Sequence, residues 1–175
     1  MTDDIQINTL VKQLSDNDGQ TREKARLALV DIGKEATLPL TKILGDRDRQ
    51  TRWEAAKALG AIADPAAIPA LINTLEDNIF DIRWLASEAL VTLGTDSLIP
   101  LLETLSRSSE NLFLREEARH VLKYILRDNP TANELNTILK PVIDALNGSA
   151  AGMATPGAAQ IALEKLQRLQ GAAET

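Results

Sequence analysis

The chain contains no cysteine. Disulfides, thiolate metal sites and cysteine nucleophiles are thereby removed at once. Histidine occurs once, as His120, and one imidazole with no Cys or His partner does not make an ordinary zinc site. Aromatic residues are only 3% of the chain, so its 44% hydrophobic content must build a core from Leu, Ile, Val and Ala. Ala and Leu favour helices, whereas sheets draw on aromatic and β-branched residues. Positive charge is in deficit: 19 Lys and Arg against 25 Asp and Glu give a net −6, a poor match to nucleic acid. The stretch Met1-Thr2-Asp3-Asp4 lacks the apolar segment of a signal peptide, and no apolar run is read as membrane-spanning. The expectation is a soluble cytoplasmic protein with no membrane insertion. No Gly-x-Ser-x-Gly elbow occurs, and Gly148-x3-Gly152 lacks the Lys and preceding strand of a phosphate loop. No cofactor and no enzymatic reaction are implied.

What is present is a repeat of about thirty residues. Four segments align: DGQTREKARLALVDIG from Asp18, DRQTRWEAAKALGAIA from Asp48, IFDIRWLASEALVTLG from Ile79 and NLFLREEARHVLKYIL from Asn111. Arg22, Arg52, Arg83 and Arg115 fall in register, spaced by 30, 31 and 32 residues. Ala25, Ala55, Ala86 and Ala118 follow three residues later, and Leu29, Leu59, Leu90 and Leu122 four after that. A second apolar stretch precedes each segment, with Pro39, Pro69 and Pro100 in three of them. Each unit therefore reads as helix A, tight turn, helix B, short loop, with period-3.6 patterning in both halves. Asp18 and Asp48 are expected to cap their B helices, Asp64-Pro65 to open a helix, and Gly33 and Gly94 to end one. A degenerate fifth unit is expected to open with the capping box Thr131-x-x-Glu134. It is expected to continue through a loop at 148–154, either a floppy surface connection or one from which Met153 folds back over the last core layer. A last helix, roughly Gly157 to Gln170 and started by Thr155-Pro156, would end it.

The pattern Asp-x5-Arg-x2-Ala-x3-Leu, with the helix A proline, resembles HEAT repeats, and more narrowly the subclass named after the phycobilin lyases. The resemblance implies an all-α, right-handed α-α superhelix (solenoid) of about five helical hairpins. One domain would span 1–175, with repeats at about 3–32, 34–62, 64–93 and 95–127 and a cap at 131–170. It also implies a ladder of Asp and Arg between neighbouring repeats. Its members would be Asp16, Arg22, Asp46, Arg52, Asp77, Arg83 and Arg115, ending where Ser109 replaces Asp. The first unit departs too, with Thr9 near the expected proline. Stacking explains the repeat physically, because a lone hairpin cannot bury its apolar face.

Counting each Arg as position 0 at about 100° per residue, positions −1, 3, 7 and 10 form the core stripe. Positions 1, 5 and 8 point away from it, onto the side of the B helices that in such solenoids lines the concave surface. Position 1 holds Glu23, Trp53, Trp84 and Glu116, so the only two tryptophans occupy equivalent places in adjacent repeats. Lys57, Gly60, Glu88 and Val91 lie around them. Trp is a favoured interface anchor, and a protein partner of this face is the functional expectation, with a monomer favoured in its absence. A second, cationic set comprises Arg115, Arg119, His120, Lys123 and Arg127, countered by Glu116 and Glu117. It offers either a salt-bridged surface or a site for an acidic partner. Two other functions stand beside it. An accessory role in attaching a tetrapyrrole (bilin) to a light-harvesting protein rests on the resemblance alone. An alkyl-base DNA glycosylase on a HEAT-like scaffold is opposed by the net charge of −6.

Overall fold

A computed structural model describes residues 4–107, 110–128, 133–148 and 150–173. Among them are ten α-helices and no strand, the architecture of an all-α solenoid of helical hairpins. The chain divides into two compact units, Met1–Leu93 and Gly94–Thr175. The first holds three hairpins: α1 (Asp4–Gln13) with α2 (Gly19–Ile32), α3 (Thr37–Ile43) with α4 (Arg49–Ile62), and α5 (Ile68–Thr74) with α6 (Phe80–Leu93). The second holds two: α7 (Leu98–Arg107) with α8 (Leu112–Asp128), and α9 (Asn133–Asn147) with α10 (Ala151–Ala173).

The chain turns from a B helix into the next A helix through a 3₁₀ turn at Gly33–Ala36, Pro65–Ala67 and Gly94–Ser97. Pro39, Pro69 and Pro100 all fall in the first turn of an A helix, where a missing N–H leaves no intrahelical bond unmade. Asp64 caps its turn by accepting the Ala66 N–H at 3.2 Å. The residue eleven after Arg22, Arg52 and Arg83 takes a positive φ: 80° at Gly33, 53° at Ala63 and 63° at Gly94. At Gly33 and Ala63 the amide bonds back to the carbonyl of Leu29 or Leu59, closing the B helix. The second repeat thus carries alanine where its neighbours carry glycine, and Cβ opposes that backbone shape. Ala63→Gly should raise the urea midpoint, reflecting a net gain of about 0.5–1 kcal/mol in unfolding free energy once the greater freedom of unfolded glycine is subtracted. An unchanged or lower midpoint would show that Ala63 carries no strain.

In the first unit, α4 packs between α2 and α6. Its buried arc is accordingly wider than the stripe at −1, 3, 7 and 10. It takes in Thr51, Glu54, Ala55, Ala56, Ala58 and Leu59, whereas α2 buries only Ala25 and Leu29. Alternating small residues let α4 and α6 approach: a Cβ at Gly60 would stand 3.3 Å from that of Ala89. Gly60 therefore belongs to the helix junction and not to the open face on which its register position had placed it.

The second unit departs from the expected cap. The α10 helix begins at Ala151, so the turn after α9 is short, and Thr155-Pro156 lies inside the helix instead of starting it. Met153, 88% exposed, does not fold back over the core. Thr155, Ala159, Ala162, Leu163 and Leu166 form the buried stripe of α10, which packs on both α9 and α7. Small residues in that stripe suit the close approach. The expected cap residue Thr131 and the ladder substitute Ser109 lie outside the described residues. The stretch Phe80–Arg107 is long and apolar enough to cross a membrane by composition, but Gly94, at φ 63°, breaks it into helices of 14 and 10 residues. A span needs about 20 continuous residues.

Candidate functional site

The Asp–Arg spacing of six is satisfied first through the main chain. Arg22, Arg52 and Arg83 each donate from Nη1 to the carbonyl oxygen of Asp16, Asp46 or Asp77, at 2.8, 2.9 and 2.9 Å. The three aspartate side chains instead accept the amide two residues on, tightening the loop before each B helix. Only one of these carboxylates is a rung between repeats. Arg52 holds Asp77 through Nε at 2.6 Å and Nη2 at 3.1 Å, a bidentate pair with side chains 12% and 9% exposed. That bond, more than any other influence, raises the Arg52 pKa further.

At the junction of the first two repeats the acceptor is a glutamate, not one of the ladder aspartates. Arg22 turns its Nε to Glu54 at 3.4 Å, and Arg26 donates to the other oxygen of Glu54 at 2.8 Å. Glu54 is 4% exposed and sits on α4, in reach of two arginines of α2, so it is a better-shielded acceptor than the exposed Asp46. Arg83 is buried. Arg115 is half-buried with Nη1 3.1 Å from where a Cβ on Gly152 would stand, so the glycine makes room for the guanidinium.

Asp18 and Asp48 cap α2 and α4 as expected. Each accepts both the hydroxyl and the amide of the threonine three residues on, at 2.7 to 2.9 Å. The Thr21 and Thr51 hydroxyls lead the amides in holding both carboxyls below the ordinary range. A carboxyl of lower pKa in the folded state contributes stability that is complete above its unfolded value of about 3.9 and is lost as pH falls through the folded value. Stability to urea should therefore drop on acidification below about pH 4. The drop should be shallower in Asp48→Asn, whose amide caps the helix without titrating. Parallel pH profiles for the two proteins would remove Asp48 from the account.

The structure brings the two tryptophans together. Trp53, half-buried on α4, and Trp84, 40% exposed on α6, line one surface cleft of about 430 Å³ with Phe80, Asp81 and Leu85. Phe80 was not singled out in the sequence. It stacks on Trp84 with ring centroids 6.3 Å apart and is 59% exposed. Its signal was there to find: Phe80 and Trp84 are four apart on one helix, the spacing at which side chains meet. Lys57 sits over the Trp53 ring with Nζ 4.5 Å from its centre. Glu88 is half-buried one turn beyond Trp84. On its other side Trp53 borders a smaller, polar cleft of about 220 Å³, lined by Arg49, Gln50, Ile79, Asp81 and Ile82.

The cationic set is less concerted. Arg119 donates to Asn147 Oδ1 at 3.2 Å, tying α8 to the end of α9. His120 stacks on Tyr124 at 4.3 Å, and the Arg127 guanidinium lies 4.1 Å from the same ring. Lys123 is exposed. Arg119, His120 and Arg127 share a helix and are each already turned to a partner.

A sequence profile of HEAT repeats matches residues 37–123. No curated protein sequence matches the chain. Among solved structures, the chain is similar to one from the complex of CpcE and CpcF of phycocyanin lyase from Nostoc sp. PCC7120. The identity is 25% and the TM-score 0.58, covering 91% of this chain and 99% of that one. It also matches an engineered protein at 21% identity and TM-score 0.43, covering 93% and 79% of the two chains. A designed armadillo repeat protein in complex with the peptide (KR)4 matches at 22% identity and TM-score 0.43, covering 91% and 81%.

Proposed function

Since the chain is a HEAT-repeat protein of the phycobilin-lyase type, we propose that it is a protein-interaction scaffold whose docking surface is the exposed side of α4 and α6. One observation carries this reading: in a chain with 3% aromatic residues, three of the five rings, Trp53, Phe80 and Trp84, line one open cleft. Large exposed aromatics in a group are anchors in search of an apolar pocket. None of the three is needed to fill the core, which is built from Leu, Ile and Ala. Lys57, Glu88 and Asp81 supply a polar rim, and the cytoplasm is the proposed setting. Arg119, His120 and Lys123 are a second, weaker candidate surface on α8. The experiment is partner capture by wild-type protein and by Trp53→Ala/Trp84→Ala. Undiminished capture by the folded variant would move the site to the α8 surface.

A second reading is an accessory role in attaching a bilin to a light-harvesting protein. The similarity to a chain of the phycocyanin lyase complex, over 99% of that chain, favours it. The same capture separates the two readings, because an accessory of this kind brings down a partner with visible absorbance and a general scaffold does not.

A further inference from the structure

The faces of α4 and α6 carry opposite charges around equivalent tryptophans. On α4, Arg49, Trp53 and Lys57 stand at successive steps of four, a stripe of cation, ring, cation. On α6, Trp84 and Glu88 stand at the places of Trp53 and Lys57, and Asp81, one residue past the place of Arg49, adds a second acid to the same face. Residues three and four apart share one helix face. The two helices run parallel: Trp53 shares its cleft with residues 80 to 85, and seven residues on, Gly60 meets Ala89. Arg49 and Asp81 line one cleft near the starts of the two helices, and Lys57 and Glu88 hold equivalent positions four residues after the tryptophans.

We propose that this face docks a second copy of the chain, giving a two-fold dimer. This deepens the scaffold reading and rests on it. A two-fold axis in the plane of the face and parallel to the helices lays α4 of one copy on α6 of the other, start to start. Arg49 then meets Asp81 of the second copy, Lys57 meets its Glu88, and the rings of Trp53, Phe80 and Trp84 close against their counterparts. A two-fold interface must be self-complementary, and these two stripes are. The other in-plane axis, perpendicular to the helices, would set cation on cation and acid on acid. A single foreign helix would face a positive stripe and a negative one side by side, and could satisfy only part of each. The occupant that satisfies both carries the same stripes in exchanged order, as a rotated copy does.

Sedimentation of the whole chain tests this over about 1 µM to about 1 mM, the range of weak to moderate association. The wild type should shift from monomer to dimer, less readily as salt screens the pairs. Lys57→Glu alone and Glu88→Lys alone should each weaken the dimer about tenfold or more, because like charges then face each other. Combining Lys57→Glu with Glu88→Lys in one chain should restore it. Arg49→Glu with Asp81→Lys, which touches only exposed residues, provides the same exchange should a Glu88 variant fail to fold. A wild type that stays monomeric at every concentration overturns the proposal. So does a dimer indifferent to the single reversals. A monomer whose capture of another protein is lost in Trp53→Ala/Trp84→Ala overturns the dimer while leaving the scaffold reading intact. Capture and association that both survive loss of the tryptophans overturn the two together.

Discussion

Replacing Arg52 with alanine should lower the unfolding free energy by about 3 kcal/mol, measured in urea. Four groups depend on this side chain. The Asp77 carboxylate takes both its Nε and Nη2, Asn78 Oδ1 lies 3.3 Å from Nη2, and the carbonyls of Asp46 and Arg47 accept from Nη1. Truncation leaves a carboxylate only 9% exposed without its counter-charge, and leaves two loop carbonyls without their donor. The expense is that of stranding the partner, which exceeds the net worth of the pair. Arg52→Lys should recover only part of the loss, since an ammonium keeps the charge but not the two-pronged fit. The exposed pair of Arg107 and Glu103, with side chains 78% and 41% accessible, is the internal control. Arg107→Ala should change stability by at most about 0.5 kcal/mol. Equal, small effects at both arginines would mean that the Arg52 rung is a surface contact.

Loss of both tryptophans should leave the helical circular dichroism signal intact and abolish partner capture. Neither ring belongs to the buried set of α4 or α6. Both should be quenched by iodide in the free protein, Trp84 more readily because Trp53 is half-buried and covered on one face by Lys57. Truncating a central aromatic anchor typically costs about 2 kcal/mol or more, roughly thirtyfold in affinity for each ring. Phe80→Ala is the companion variant. Its ring stacks on Trp84, so losing it removes contact area and also the support that sets the indole's orientation. A blue-shifted, unquenched spectrum in the free wild type would show the rings buried and end the case for this surface.

The hairpin order, the capping aspartates and the meeting of the two tryptophans were legible in the sequence, because each follows from a local rule repeated at fixed spacing. Arg22, Arg52 and Arg83 repeat because each closes the loop six residues behind it. What spacing could not reveal was which carboxylate lies across the junction. Glu54 stands in register with the exposed Lys24, so nothing in its own repeat marks it as buried. Its role depends on Arg26, an arginine that the second repeat replaces with Ala56. Contacts between repeats are fixed by pairs of positions, and a single-repeat consensus averages those pairs away. The short turn before α10 escaped for another reason. Gly152, Pro156 and Gly157 signal a loop locally, but packing on α7 and α9 outweighs their poor helix propensity.

The two junctions of the first unit are held by different chemistry. Between the first and second repeats, one buried glutamate reaches back to two arginines; between the second and third, an arginine reaches forward to an aspartate. The hairpins are therefore not interchangeable beads. Were the third hairpin to stack directly on the first, Leu85 would stand where Glu54 belongs, and Arg26 would lose its buried acceptor and keep only the long contact to the exposed Glu23. Arrays of like units are prone to assemble out of order while folding. Here an out-of-turn neighbour strands an ion, and the chain carries in its junction charges a proofreading of its own stacking order.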